Sequence, residues 1–414
     1  MAEADSDGAI IFLIMKRFAP LLLLTLIFAV VATPIWASTN AKTSKSSGNS
    51  PGVGMATAVT TVTGIAISPL MGTGAYGAYQ WAAAKKNGTP VEDLPWYAQM
   101  SFWGPALGIV VLVGAKDSLG AVVPPGWKKP LDILETIENK ASGLVAAGAV
   151  VPFTMNTMSK MIMAHSPETP EKINHGLAML HLGAIDFSWL LNILTVPFGV
   201  AVFAVVWMAS HAINVLILLS PWGAIDAALK GIRTGLLGLI TLTATMNPWI
   251  SAALSLVIIL IAVLVAGWSF RLTVFGTIFS WDFFTLRRAR YKMKENDNKM
   301  FAGGNLPEVP VRTYGKLSKT ESGVTFTYKP WMVLPEKTAV VPEGGLAVGK
   351  GLFLSTVQNA DENTFFILPP RYSGHEEALV KTYGMTGVNP AGLRKAWSAM
   401  RELFGGSAAK TQVV

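Results

Sequence analysis

An α-helical polytopic membrane domain followed by a small soluble α+β domain, mostly β, is the fold class that three features of the chain predict. Thr234 to Phe270 runs without a single Asp, Glu, Lys or Arg, and Phe187 to Ile225 is a slightly longer charge-free run. A hydrocarbon core about 30 Å thick takes about 20 apolar helical residues, and a soluble domain rarely needs so long a run. Composition agrees, with 51% hydrophobic and 14% charged residues, where ordinary globular chains carry roughly 25% charge. From about Val309 the pattern shortens into alternating apolar runs punctuated by Gly and Pro, as strands and turns require.

The amino terminus has its own layout. Met15, Lys16 and Arg17 precede an apolar stretch from Phe18 to Trp36, which ends at Ala37. A basic start, a Leu-rich middle and a small residue at the cleavage position read as a signal sequence over residues 1–37, with an uncleaved signal anchor as the alternative. Residues 38–52, rich in Ser, Asn, Lys and Gly, read as a flexible linker.

Residues 53–285 divide into about six expected spans. Val53 to Ala84 is apolar, broken by Pro69 and closed by Lys85 and Lys86. Within it Gly72, Gly74 and Gly77 form GTGAYG, formally a GxGxxG; without a βαβ unit around them, these glycines are expected to let helices pack closely. Ala98 to Ala115 is flanked by Trp96, Tyr97 and Trp103, suited to headgroup depth, and Ser142 to Ala164 follows as the next span. Between them, Leu131, Leu134 and Ile137 recur every three residues while Asp132, Glu135 and Glu138 take other faces. That pattern describes an amphipathic helix lying on the membrane or, equally, one packed on another part of the protein. The run from Phe187, interrupted by Pro197, reads as two passes or one long kinked helix. Beyond the polar break of Pro221, Asp226, Lys230 and Arg233 come a short pass, Leu236 to Met246, and a full span, Ile250 to Trp268.

The tail reads as a separate domain over residues 305–406, joined by a basic linker, 286–304, and ending in a disordered stretch, 407–414. Expected strands are Val324 to Tyr328, Trp331 to Leu334, Ala339 to Val341, Leu346 to Val348, Leu352 to Ser355 and Thr364 to Leu368. Glu376 to Tyr383 and Ala391 to Phe404 have helical spacing. About 100 residues bury one modest core, here a small sheet or partly open barrel capped by helices.

Charge sets the expected orientation. The chain carries a formal net charge of +8, and residues 286–414 hold 18 Lys and Arg against 11 Asp and Glu. Arg287, Arg288, Arg290, Lys292 and Lys294 follow the last apolar segment directly, and such a cluster stays cytoplasmic and touches anionic lipid headgroups. Its position after a span favours lipid over nucleic acid. The predicted location is therefore a bacterial inner membrane with the tail domain in the cytoplasm. The predicted partners are the bilayer, anionic headgroups and other membrane or cytoplasmic proteins, with a homo-oligomer also compatible.

Gly64 to Phe153 resembles an uncharacterised bacterial membrane family, domain of unknown function 4126. The residues that carry the resemblance are GIAISPLMGTGAYGAYQW, LPWYAQMSFWGPALGIVVLVGAKDSLGAVVPP and PLDILETIENKASGLVAAGAVVP. The resemblance implies a helical membrane fold and brings no reaction with it. By strand count alone, the tail is similar to a pleckstrin-homology-type small barrel.

Chemistry-bearing motifs are sparse. The absence of cysteine excludes disulfides, Cys-ligated metals and thiol nucleophiles. No HExxH occurs, and the glycines around Lys350 do not form a phosphate loop, so no catalytic, cofactor or metal site is expected. The remaining candidate is a polar site at membrane depth formed by His181, Asp186, His211 and Asn214, because ionisable groups there face a protein interior or a wet cavity. These features predict a non-enzymatic membrane scaffold or complex subunit whose tail docks a partner or lipid headgroups, with a transporter or channel as the alternative.

Overall fold

The computed structural model describes residues 51–88, 90–119, 125–156, 187–220, 223–321, 323–342, 345–351 and 354–390. The expected signal segment, His181, Asp186 and the expected helix Ala391 to Phe404 lie outside them. The described chain divides into two units. A helical unit extends to Ala266 without Leu218–Ser220, and a sheet unit takes those three residues and everything from Gly267 onward.

The polytopic helical membrane domain is the expectation that the structure overturns. Among the described residues one helix is long and apolar enough to cross a membrane, Thr195–Leu219, or two if Pro248–Leu264 and Ala266–Phe284, broken at Val265, count as one span. About six were expected. The reasons are local. Pro69 cannot continue the helix before it, so Val53 to Ala84 becomes two helices, Pro51–Ile67 and Pro69–Asn87. The first has 17 residues, roughly 26 Å at 1.5 Å per residue and short of a hydrocarbon core. Pro248–Leu264 is equally short. Met100–Leu119 contains Lys116 and Asp117, and Gly223–Met246 carries Asp226, Lys230 and Arg233 in its first half. The run from Phe187 is a single helix, Phe187–Leu219, with Pro197 inside it.

Much of the apolar surface in the helical unit is turned inward. Pro51–Ile67 packs on Gly223–Met246 and Pro248–Leu264, while Pro69–Asn87 packs on Met100–Leu119. Val62, Ile65, Tyr97, Val150, Phe203 and Ile240 lie in the shared core. The glycines of GTGAYG serve packing: a Cβ at Gly72 would press on the backbone of Ile65, and one at Gly77 would collide with the carbonyl of Tyr97. Pro125–Val145 is an amphipathic helix packed into this unit by its Ile133, Thr136 and Asn139 face, each 1% exposed, whereas Ile137 is 42% exposed.

The sheet unit is built on eight strands. They are β1 (Asn298–Ala302), β2 (Tyr314–Thr320), β3 (Gly323–Tyr328), β4 (Lys337–Val340), β5 (Ala347–Lys350), β6 (Thr356–Gln358), β7 (Thr364–Ile367) and β8 (Val388–Pro390), in the order β4-β3-β2-β1-β7-β6-β5-β8. All pairings are antiparallel except β5 with β8. β1 sits in the middle and joins the two halves. Two expected strands are not found where they were placed: Trp331 to Leu334 begins as a tight 3₁₀ turn, Pro330–Met332, with Trp331 and Met332 at φ 53° and 60°, and of Leu352 to Ser355 the described residues, Leu354 and Ser355, precede β6 without belonging to a strand. Glu376–Tyr383 is helical as expected, ending at a left-handed Gly384.

The helix Ala266–Phe284, highly apolar in sequence, packs on this sheet. Phe275 lies 4.6 Å from Phe301 of β1, centroid to centroid, and Arg271 Nε donates to the carbonyl of Val311 at 3.0 Å. Near the helix end the buried Asp282 carboxylate accepts from Arg371 Nε at 2.6 Å. Met300, Leu317, Phe326, Val357, Phe366 and Tyr372 fill the core.

Candidate functional site

Three places collect polar chemistry. The first is in the helical unit and contains the two sequence candidates that the structure describes. The break at Ser68 leaves the carbonyl of Ile67 among the last of its helix, without an intrahelical partner. Ser210 Oγ and Arg233 Nε donate to it at 2.5 and 2.8 Å. Arg233 Nη1 also donates to Asn214 Oδ1 at 2.6 Å. His211, stacked on Trp207, places Nδ1 2.9 Å from Asn139 Oδ1. Lys230 and Glu135 form an ion pair at 3.2 Å.

His211 and Asn214 thus share a face but pair separately. Their partners, Asn139 and Arg233, come from helices read as polar breaks or surface. A signal was present: acids at 135 and 138 and bases at 230 and 233 repeat at three-residue spacing on two helices, as facing charged rows would. Among the described residues no three His, Asp or Glu cluster as a metal site would. The network caps a broken helix and ties three others to it, so its evident work is structural.

The second place is the end of the helix Ala266–Phe284. Trp281, Phe283, Phe284 and Leu286 are exposed, Leu286 in a left-handed turn at φ 48°. A short helix, Arg287–Arg290, follows, and Arg287, Arg288, Arg290, Lys292 and Lys294 are all exposed. The geometry is held from both sides. Arg290 Nη2 donates to the carbonyl of Thr285 at 2.6 Å, and His375 Nε2 lies 2.8 Å from the carbonyl of Arg288, so that ring nitrogen is the donor. Apolar rings thus stand beside five cations, the arrangement favoured at a headgroup layer. Beneath it, burial raises the hydroxyl pKa of Tyr291. Every one of these basic residues was legible in the sequence; the helical order in front of them was not.

The third place is a cleft of about 250 Å³ between Ala266–Phe284 and the sheet. Arg271, Arg312, Lys329 and Lys337 line it, with Glu308 as the only acid among the described residues. Sequence reasoning missed it, because its residues come from four separated stretches.

No family model matches the chain, and no curated protein or solved structure is significantly similar to it.

Proposed function

We propose that this is a non-enzymatic, membrane-anchored protein whose sheet unit docks on anionic lipid headgroups. The observation that carries the proposal is the exposed row of Trp281, Phe283, Phe284 and Leu286 running directly into Arg287, Arg288, Arg290, Lys292 and Lys294. Each exposed cation near an anionic surface contributes about 1 kcal/mol, and the rings add insertion into the interface. Thr195–Leu219, which is long and apolar enough to cross a membrane, would serve as the anchor. On Pro248–Leu264, the exposed Leu256, Leu260 and Leu264 repeat every fourth residue, an apolar stripe suited to the acyl boundary. A cluster of this sign resists translocation, so the sheet unit belongs on the cytoplasmic face of a bacterial inner membrane.

The absence of cysteine makes a clean experiment available. Ala289→Cys, at an exposed position within the basic helix, is labelled with a polarity-sensitive fluorophore in the full chain reconstituted into vesicles. Emission should shift to the blue as the anionic lipid fraction rises, and return at high salt, where the screening length falls to about 3 Å. A label indifferent to lipid charge would overturn the proposal.

A further inference from the structure

The geometry points to the cleft between Ala266–Phe284 and the sheet as a binding site for a phosphate monoester, separate from the basic row that meets the bilayer. Its cations are graded by depth. Arg312 is 2% exposed and Arg271 is half-buried, held by its Nε bond to the carbonyl of Val311, whereas Lys329 and Lys337 are exposed at the mouth. Two positioned guanidiniums behind two exposed ammoniums recognise a tetrahedral dianion: the planar forks give direction and the lysines give charge. Four cations and one acid, Glu308, line about 250 Å³, and a phosphomonoester, with close to two negative charges, suits a lining of that sign.

The backbone supports the assignment. Seven described non-glycine residues have positive φ, and four of them line this cleft: Glu308, Arg312, Trp331 and Met332. Strain of this kind gathers where a ligand site must be held in shape. The strained turn sets Trp331 against Phe270 with centroids 4.8 Å apart, giving the cleft an apolar wall for the carbon side of an ester. A side chain at Gly267 would point at this wall, since a Cβ there meets Arg271 Nη1 at 3.6 Å and Trp331 at 3.8 Å. The volume lies below the roughly 300–1,000 Å³ of drug-sized sites. It suits a headgroup-sized molecule such as a glycerol phosphate, free or as the head of a lipid.

The test is calorimetric titration of the purified full chain in a neutral detergent with glycerol 3-phosphate, short-chain phosphatidic acid, inorganic phosphate and, as a competitor class, glutarate. Saturable binding of a phosphate monoester is expected. Lys329→Gln with Lys337→Gln should weaken it at least tenfold, the loss of charge-assisted bonds at the mouth. Gly267→Leu should abolish it by filling the space. Tighter binding of phosphatidic acid than of glycerol phosphate identifies a lipid headgroup as the source, and the reverse identifies a soluble ester. The lysines are exposed, so the double variant should melt like the native chain. Binding untouched by both variants, a preference for glutarate, or no saturable binding of any phosphate would overturn the assignment. Ala289→Cys reports on a different surface, so either experiment can fail without the other.

Discussion

Removing β1 should unfold the sheet unit, although the sequence suggests a domain that begins at residue 305. β1 lies between β2 and β7, with Met300, Phe301 and Ala302 at most 1% exposed. Burying Met300 and Phe301 is worth about 3–6 kcal/mol together. Six registered positions pair β1 with its neighbours, four on β2 and two on β7, and each lost backbone hydrogen bond costs about 0.5–1.5 kcal/mol more. Asn298 adds a side-chain stitch, donating from Nδ2 to Lys294 O and Tyr383 Oη at 2.9 Å each. Together these match or exceed the roughly 5–15 kcal/mol that holds a domain folded. A fragment of residues 306–414 should therefore show no cooperative thermal transition and collapsed amide dispersion by NMR. Residues 266–414, which retain β1 and the helix packed on it, should melt cooperatively. A sharp melt for the shorter fragment, with native-like dispersion, would refute the reasoning.

Two further perturbations probe each unit by itself. Asp282→Ala strands Arg371, whose side chain is 6% exposed, so the sheet unit should lose about 3–5 kcal/mol in denaturant titration, whereas Asp282→Leu with Arg371→Met should recover most of it; a loss below about 1 kcal/mol would contradict this. In the helical unit, burial lowers the Lys140 ammonium to about 8. The unfolded chain, titrating near 10.4, binds more protons above pH 8. The burial cost is thus fully present below pH 8 and relieved as pH rises through the window. The thermal midpoint in detergent should climb between pH 7.5 and 9.5 relative to Lys140→Met, and parallel profiles would show that Lys140 is not buried as described.

What could be read from the sequence followed local chemistry. The strands at Val324 to Tyr328 and Thr364 to Leu368, the helix Glu376–Tyr383 and the basic row Arg287 to Lys294 were legible because turn residues, periodicity and charge mark them within a few positions. β1 and β2 were not, since NKMFA and YGKLSKT are short and mixed in polarity, and their burial comes from neighbours up to about seventy residues away. The apolar runs misled for a related reason. A charge-free stretch says that side chains leave water, but not whether they meet lipid or other helices. Proline breaks at Pro69 and Pro248 shortened the helices, and packing absorbed much of their surface. The cleft was invisible because Arg271, Arg312, Lys329 and Lys337 converge only after the sheet forms.

The most direct test of the account is flotation of residues 266–414 with vesicles of phosphatidylglycerol and phosphatidylcholine. The fragment should float with the anionic vesicles at low salt, dissociate at high salt and ignore the neutral ones. Replacing Arg287, Arg288, Arg290, Lys292 and Lys294 by Gln should abolish flotation while the fragment still melts cooperatively, at a lower midpoint because Arg287 Nη1 lies 3.7 Å from the buried Asp282 carboxylate and Arg290 bonds the carbonyl of Thr285. Equal flotation with neutral vesicles, or full flotation of the five-fold variant, would contradict headgroup docking by this surface.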